Sequence, residues 1–461
     1  MQTPFDIAAD MDTPVSAMRK LAAFDPVFLL ESVEGGQRLA RYSFVGLGRA
    51  LTIRVDQAGL AIDGETPRAV PAGAALLDEL RAALTRAPKL LPEVPGVPLD
   101  GGLVGLIGYD FVRRLEPVGE RLAKAGDDAE VLLVAPRSML IFDHLTRRVA
   151  FVHGGPEWER ASLRREIIHA LRGALPPASV RVGHAPPKAS MSEGEFLQRV
   201  AEVKEHIAAG DVFQLVLSVR FEGECRTDAF EVYRALRLLN PSPYMYYFDF
   251  KDCQLVGSSP EALVKVRDGV ATLRPIAGTR PRGASDEADQ THERELLADP
   301  KEAAEHVMLV DLARNDLGRV AAASTIKVEP YRAIERYSHV MHIVSGVSGS
   351  LASGKDAFDA FAATFPAGTV VGAPKVRAMQ IIDRLEPVRR GFYAGTVGYF
   401  SKAGHMDMAI AIRTLIFRDG RYAYQAGAGL VADSDPMAEY REVRHKVASA
   451  EAALALAEEG L

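Results

Sequence analysis

The sequence predicts a layered α/β (or α+β) fold, and three observations predict it. The second half of the chain alternates short apolar runs of strand character with longer stretches of helical period, the pattern of stacked layers. The first half is a succession of β-like runs and turns in which hairpins are expected. No repeat of solenoid period runs through either half. At 461 residues and 48% hydrophobic content the chain can bury a large core, and its length alone allows about two or three domains.

The elements follow in order. VFLL at 27–30, YSFVG at 42–46 and LTIRV at 51–55 read as three short strands joined by hairpins. GGLVGLIGY at 101–109 is apolar and glycine-dense, and neither GK[ST] nor GxGxxG follows it. It is expected as a strand pressed against another backbone, not as a phosphate loop. The runs 131–142 and 148–153 form a strand pair, and 156–171 has a helical period. LPPASVRVGHAPPK at 175–188 is rich in proline and small residues, so the expected organisation is an N-terminal sheet-contributing region at 1–174, a linker or surface loop at 175–191, and a main domain at 192–461.

Beyond it, 192–209 is an amphipathic helix with Ser192 as cap and Glu195 three residues on. A strand follows at 212–221, where Gln214 fits either an exposed edge or a pocket. NPSP at 240–243 is a turn feeding the aromatic strand 244–250, and 255–266 carries Glu261 at a bend, a place for turn residues and for site residues alike. The run 338–345 alternates as a strand does, which sets His339 and His342 on opposite faces. MDMAIAIRTLIF at 406–417 reads as one apolar strand interrupted by Arg413, whose guanidinium asks for an anion, either a ligand or a structural carboxylate.

Charge and composition exclude several classes. The net charge is -6, with basic residues scattered in short pairs such as Arg113-Arg114 and Arg389-Arg390, which argues against nucleic acid and for a small-molecule partner. No apolar run approaches the roughly 18 residues of a membrane span, and MQTPFDIAADMDTP at the start lacks a leader's apolar core. A cytoplasmic protein without membrane contact is expected. Cys225 and Cys253 are its two cysteines, too few for a disulfide framework or a cysteine zinc cage.

Two segments point to chemistry. QAGAGLVADSDPMAEYREVRHK at 425–446 joins a glycine-rich turn, whose N–H groups at Gly427 and Gly429 can approach an anion, to a helix opened by Asp435-Pro436. On that helix Glu439 and Glu442 share a face. DPKEAAEH at 299–306 repeats the arrangement with Glu302 and Glu305. Like charges at this spacing cost about 0.2–0.5 kcal/mol unless a positive charge sits between them. If the two helix starts face each other, four carboxylates converge, which requires a divalent cation or proton uptake. An all-oxygen set selects Mg²⁺ over zinc. Plainer explanations stand beside this one: Glu302 fits a capping box with Asp299, and Glu439 and Glu442 fit a solvated face.

These segments belong to a series of ordered blocks that resembles the anthranilate synthase branch of the chorismate-utilising enzyme family. The blocks are LLES at 29–32, NPSPYM at 240–245, GSSPE at 257–261, PIAGTRPRG at 275–283, DPKEAAEHVMLVDLARNDLGRV at 299–320, RYSHVMHIVSGV at 336–347, PAGTVVGAPKVRAM at 366–379, AGTVGYF at 394–400, AIAIRTLIF at 409–417 and QAGAGLVADSDP at 425–436. The resemblance is nearly continuous beyond Ser192 and partial before it.

The resemblance implies a large, mainly antiparallel sheet core wrapped by helices. It implies conversion of chorismate and ammonia to anthranilate and pyruvate with Mg²⁺, the first step of tryptophan biosynthesis. Glu305 and Glu442 are implied as direct Mg²⁺ ligands, with Glu302 and Glu439 holding its waters. Glu261 is implied as the general acid for the departing ring hydroxyl, a task that asks for a raised pKa. His342 is implied as the histidine that assists pyruvate elimination. Thr369 stands with this catalytic set and with the carboxylate binders, which are Tyr393, Arg413, Lys446 and the backbone of Gly427, Ala428 and Gly429.

Two positions sort the branches of the family. Ala277 stands where aminodeoxychorismate synthases typically carry a nucleophilic lysine, and Gln214 where isochorismate and salicylate synthases carry a basic one. Both favour ammonia as the attacking species. Aminodeoxychorismate synthase and a non-catalytic tryptophan-sensing homologue remain the alternatives. Val371 and Arg444-His445 depart from the residues usual before GAPK and before Lys446, which bears on substrate positioning. A tryptophan feedback site is implied at Glu31, Ser32, Pro243, Tyr244 and Met245, with Tyr399 nearby; the same residues fit a strand end packed on a turn. The chain carries no glutaminase cysteine segment, so an amidotransferase subunit supplying ammonia within a hetero-oligomer is implied.

Overall fold

Two long strands carry the architecture. In the structure, a computed structural model that describes residues 4–34, 38–39, 41–119, 129–177, 183–283, 285–336 and 340–461, Tyr42–Asp56 and Val131–Asp143 pair antiparallel from Tyr42↔Asp143 to Val55↔Val131. Each then recruits further strands on its other edge, and two wings grow from them. One wing runs from Pro26–Glu31 through Tyr244–Asp249, Gln254–Ser259, Thr414–Arg418 and Arg421–Leu430 to Gln214–Glu224. The other runs from Gly102–Ile107 through Thr396–Ser401, Met406–Ile410, Ala262–Arg267 and Val270–Leu273 to Val347–Ser350. Every one of these ladders is antiparallel, and the strands from 1–174 form the middle of one large curled sheet whose two flanks come from 192–461.

The stretches 42–46 and 51–55, expected as separate hairpin strands, are one strand. Gly48 takes φ +66°, and the register shifts between Arg49 and Leu51, a bulge that bends the strand without reversing it. The glycine-dense run at 101–109 is a fully buried strand, as expected. At Gly102, φ is +116° and a Cβ would lie 2.1 Å from the carbonyl oxygen of Phe400, so only glycine permits the ladder with Thr396–Ser401.

Helices cover the outer faces. Ser192 and Glu195 form a reciprocal capping box at the start of Glu193–Ala208, and the C-terminal helix Pro436–Glu459 packs on that helix, on Ala229–Leu239 and on Arg421–Leu430. No helix among the described residues is long and apolar enough to cross a membrane. Within 175–191, His184 bridges to Cys225 and Lys188–Ala189 pairs with Phe221 and Glu222; 178–182 lie outside the described residues, as do Ser338 and His339.

Beside the main sheet stands a three-stranded one, in the order Ile276–Pro281, Val340–Val344, Ala333–Arg336. It has a small core of its own, Leu296, Met341 and Ile343.

The chain passes from wing to wing twice at the same place. Ser259 ends a strand of one wing and Ala262 begins a strand of the other, while Ile410 and Thr414 make the return crossing. The run 406–417, expected as one strand, is therefore two, turned at Arg413 by φ +50°. The crossings are stitched together: Ser259 Oγ donates to Ile410 O (2.6 Å), Ile410 N to Glu261 O (3.0 Å) and Ser258 N to Arg413 O (3.1 Å). The glycine-rich turn expected at 425–429 is likewise a strand. Its ladder with Thr414–Arg418 ends at Leu415↔Tyr424, whereas its ladder with Gln214–Glu224 continues to Leu430, so this segment borders the opening between the wings.

Gly102→Ala is expected to destabilise the protein by about 1–3 kcal/mol through overpacking against the neighbouring backbone. Chemical denaturation measures it, and an unchanged midpoint would show that the sheet has room there.

Candidate active site

Where the crossings meet, the wings enclose a cavity of about 500 Å³. Glu261 and Arg413 reach it from the two crossings. Thr369 comes from the short 3₁₀ turn Gly368–Val370, Tyr393 from the loop before Thr396–Ser401, Gly427 and Gly429 from the strand Arg421–Leu430, and Lys446 from the C-terminal helix. The small sheet closes the cavity with Ala277, Thr279 and His342. The predicted catalytic and carboxylate-binding residues thus line one space, with the exception of Ala428, which is packed in the hydrophobic core.

Glu261 is half-buried on the lining of the cavity. Burial pushes its carboxyl up to about 7, against the opposing pull of the Thr369 hydroxyl, Lys446 and Arg413. Near neutral pH it therefore holds a proton for a substantial fraction of the time, the state a general acid needs. Thr369 Oγ1 donates to Glu261 Oε1 at 3.0 Å. The turn bearing Thr369 is held by the helix Pro300–Gly318: a Cβ at Gly368 would lie 2.0 Å from Leu312 Cδ2, so glycine permits this approach.

His342 Nδ1 lies 3.0 Å from Gly278 O and 3.0 Å from Thr279 Oγ1. A carbonyl can only accept, which places the proton on Nδ1 and leaves Nε2 as the acceptor nitrogen. Burial lowers the His342 pKa, favouring this neutral form. Arg413 turns much of its surface to the cavity, and no structural carboxylate lies within ion-pair distance of it among the described residues; burial lowers its pKa and Glu261 raises it. Lys446 Nζ donates to Gly427 O at 2.9 Å and pairs with Glu442 at 2.6 Å.

The two acidic helix starts lie within electrostatic reach of each other. Asp299 caps Pro300–Gly318 by accepting from Lys301 N and Glu302 N, and Asp435 caps Pro436–Glu459 by accepting from Ala438 N. Glu302 pairs with Arg280 at 3.2 Å. Burial, then the charge of Glu302 and, more weakly, that of Glu442, push the Glu305 carboxyl above its ordinary range, while Lys301 and a hydrogen bond from Gln214 pull it back. Gln214 is buried, so of its two readings the inward one holds. Burial and Glu442 also raise Glu439, against a hydrogen bond from Ser434. Among the described residues no three of these side chains are grouped as a metal cage. The donor set is nonetheless all oxygen, and the mutual repulsion is of the kind a hard cation relieves.

A second cavity, about 420 Å³, is lined by Ser32, Pro243 and Tyr244 together with Lys265, Arg274 and Glu335. Tyr244 donates to Asp407 Oδ1 at 2.9 Å. Of the other residues implied for a regulatory site, Met245 and Tyr399 are buried, and Glu31 accepts from Tyr233 (2.5 Å) and from Arg237 (2.9 Å).

The sequence reading misses two kinds of residue. Lys265 is a single cation in a strand and Arg274 one in the link between two strands, and only the fold brings them to one cavity. Arg390, half of a pair counted among scattered charges, is 2% exposed and pairs with Glu386; nothing in the local sequence marks it as buried.

The sequence model of the chorismate binding enzymes matches residues 25–452. The chain is similar to anthranilate synthase component 1 of Pseudomonas aeruginosa, 45% identical over 479 residues that cover 99% of this chain and 96% of the relative. The corresponding protein of Aquifex aeolicus is 43% identical over 475 residues, covering 98% and 94%. Among solved structures, anthranilate synthase component I from Streptococcus pneumoniae matches with a TM-score of 0.80 at 35% identity, over 89% of this chain and 92% of that one. The menaquinone-specific isochorismate synthase of Escherichia coli shares the fold, with a TM-score of 0.71 at 21% identity over 96% and 92%.

The raised carboxyl of Glu261 has a sign that stability can report. Its folded pKa of about 7 lies above the ordinary 4.5, so its contribution is complete below pH 4.5 and is lost as pH rises through 7. Glu261→Gln, neutral throughout, should gain on the order of 2–3 kcal/mol relative to the parent between pH 5 and pH 8. Urea denaturation at both values measures this; a difference independent of pH would refute the shift.

Proposed function

The chain belongs to the chorismate binding enzyme family, and from that premise we propose that it converts chorismate and ammonia to anthranilate, pyruvate and water as the large subunit of an anthranilate synthase. The observation that carries the reading is the cavity at the double crossing, where a carboxyl of near-neutral pKa faces two cations. Chorismate brings two carboxylates. Arg413, without a carboxylate in ion-pair reach among the described residues, and Lys446 would receive them. Tyr393 lines the same cavity.

Glu261, protonated and steadied by Thr369, gives its proton to the departing ring hydroxyl as ammonia bonds to the ring, so the hydroxyl leaves as water. His342, neutral and accepting at Nε2, assists the elimination of pyruvate that restores the aromatic ring. Glu305 and Glu442, with Glu302 and Glu439 acting through water, would hold Mg²⁺, which when bound supplies positive charge for the ring carboxylate. Arg280 and Lys446 neutralise Glu302 and Glu442 in its absence.

Ala277 lines the cavity and offers no amine to form a covalent adduct, which supports ammonia as the nucleophile over the aminodeoxychorismate synthase reading. The ammonia comes from an amidotransferase subunit in a cytoplasmic hetero-oligomer. The second cavity takes tryptophan as a feedback inhibitor.

The deciding experiment incubates the purified chain with chorismate, ammonium and Mg²⁺. Anthranilate is the expected product, and a 4-amino adduct would overturn the assignment. Tight tryptophan binding without turnover would favour the sensing homologue. Glutamine in place of ammonium should give no product without a partner subunit, chelation should abolish turnover, and saturating tryptophan should suppress it. Glu261→Gln should lower kcat by about 10²-fold or more with KM little changed; an undiminished kcat would remove Glu261 from its assigned part.

A further inference from the structure

Behind the cavity, outside its lining, lies an ion pair that reaches several walls at once. Arg390 Nε and Nη2 donate to the two oxygens of Glu386 at 2.9 and 2.7 Å. Two of its remaining donors go to backbone, Nη1 to Val370 O at 2.7 Å and Nη2 to Val216 O at 2.8 Å. The guanidinium carbon stands 4.9 Å from the Tyr109 ring centroid and 5.5 Å from that of Tyr393. Glu386 in turn accepts from Ser218 N at 2.9 Å and Ser218 Oγ at 2.6 Å, and Gln425 Nε2 donates to Ser218 Oγ at 2.8 Å.

We propose that Arg390, seated on Glu386, is a positioning residue that locks the Thr369 turn, the strand Gln214–Glu224 and the Tyr393 ring into the arrangement in which Thr369 meets Glu261. Val370 O, the acceptor of Nη1, belongs to the residue next to Thr369, so the guanidinium fixes the height of that turn. Only a planar fork satisfies a carboxylate and two carbonyls in different directions; an ammonium is a single point charge with no such geometry. A buried pair of this kind is a poor means of adding stability compared with apolar packing of the same volume, and its best-attested use is to specify one arrangement.

The proposal rests on Glu261 being the acid of the reaction, and the experiment separates the two. Glu261 is faced by Thr369, Lys446 and Arg413, with His342 lining the same cavity. Arg390→Lys keeps the charge and loses the fork. The loosened Thr369 then donates less to the carboxylate, so the alkaline limb of the pH–rate profile should move to higher pH and kcat should fall about 10–100-fold, more than KM changes. Glu386→Gln should act in the same direction. A folded Arg390→Lys with an unmoved limb and unchanged kcat overturns the proposal.

Turnover of chorismate by the parent chain tests the functional reading alone. The titration of Glu261 is also readable without turnover, from the pH dependence of unfolding: a parent-like dependence in Arg390→Lys again overturns the proposal. Should Arg390→Lys fail to fold, Ser218→Ala decides, since it removes one hydroxyl from Glu386, together with the acceptor of Gln425 Nε2, and keeps the backbone donor of Ser218. A limb displaced upward supports the proposal and an unmoved one overturns it.

Discussion

A sheet that crosses from one wing to the other twice at one place cannot keep its ladder intact there, and the rest of the site follows from that constraint. At each crossing the backbone leaves its hydrogen-bonded partners, and the chain must turn within a few residues. Arg413 does so at φ +50°, a conformation that costs a non-glycine residue on the order of 1–2 kcal/mol. Ser259 replaces lost ladder bonds with a side-chain one to Ile410 O. The gap left between the wings is a concave space bordered by backbone and by side chains that no longer alternate between core and solvent.

Burial then gives chemically identical groups different work. Glu261, half-buried and opposed by cations at a distance, keeps its proton near neutrality. Glu302 and Glu442 lie close to solvent and take Arg280 and Lys446 as counter-ions. Glu305 and Glu439 are caught between burial and like charge. Glu386 sits fully inside and accepts from Arg390 and Ser218. Glu31 is tied by Tyr233 and Arg237, fastening the N-terminal strand to the helix Ala229–Leu239. One side chain thus serves as acid, counter-ion, repelled ligand candidate and structural anchor, and surroundings alone separate these states.

The small three-stranded sheet brings His342 and Ala277 to the cavity from outside the main core. Its own core is Leu296, Met341 and Ile343, far less buried apolar surface than holds the main sheet. Stability is therefore unevenly divided between the element that carries His342 and the wings that carry Glu261.

What the sequence by itself determined is whatever local chemistry decides. The Asp-Pro helix starts at 299 and 435, the Ser192 capping box and the buried glycine strand at 102–107 all stand as their residues require, because caps, proline and close backbone contact act within a few residues. The blocks at 257–261, 366–379 and 425–436 carried the family resemblance for the same reason: each is a contiguous run. Only the tertiary structure decided that 406–417 is two strands in different wings, that the glycines at 427 and 429 lie in a strand, that Gln214 faces the acidic helix and that Arg390 is buried. In each case the deciding partner, whether a ladder, a carboxylate or a carbonyl, comes from a distant part of the chain, and side-chain period cannot report where a sheet is divided.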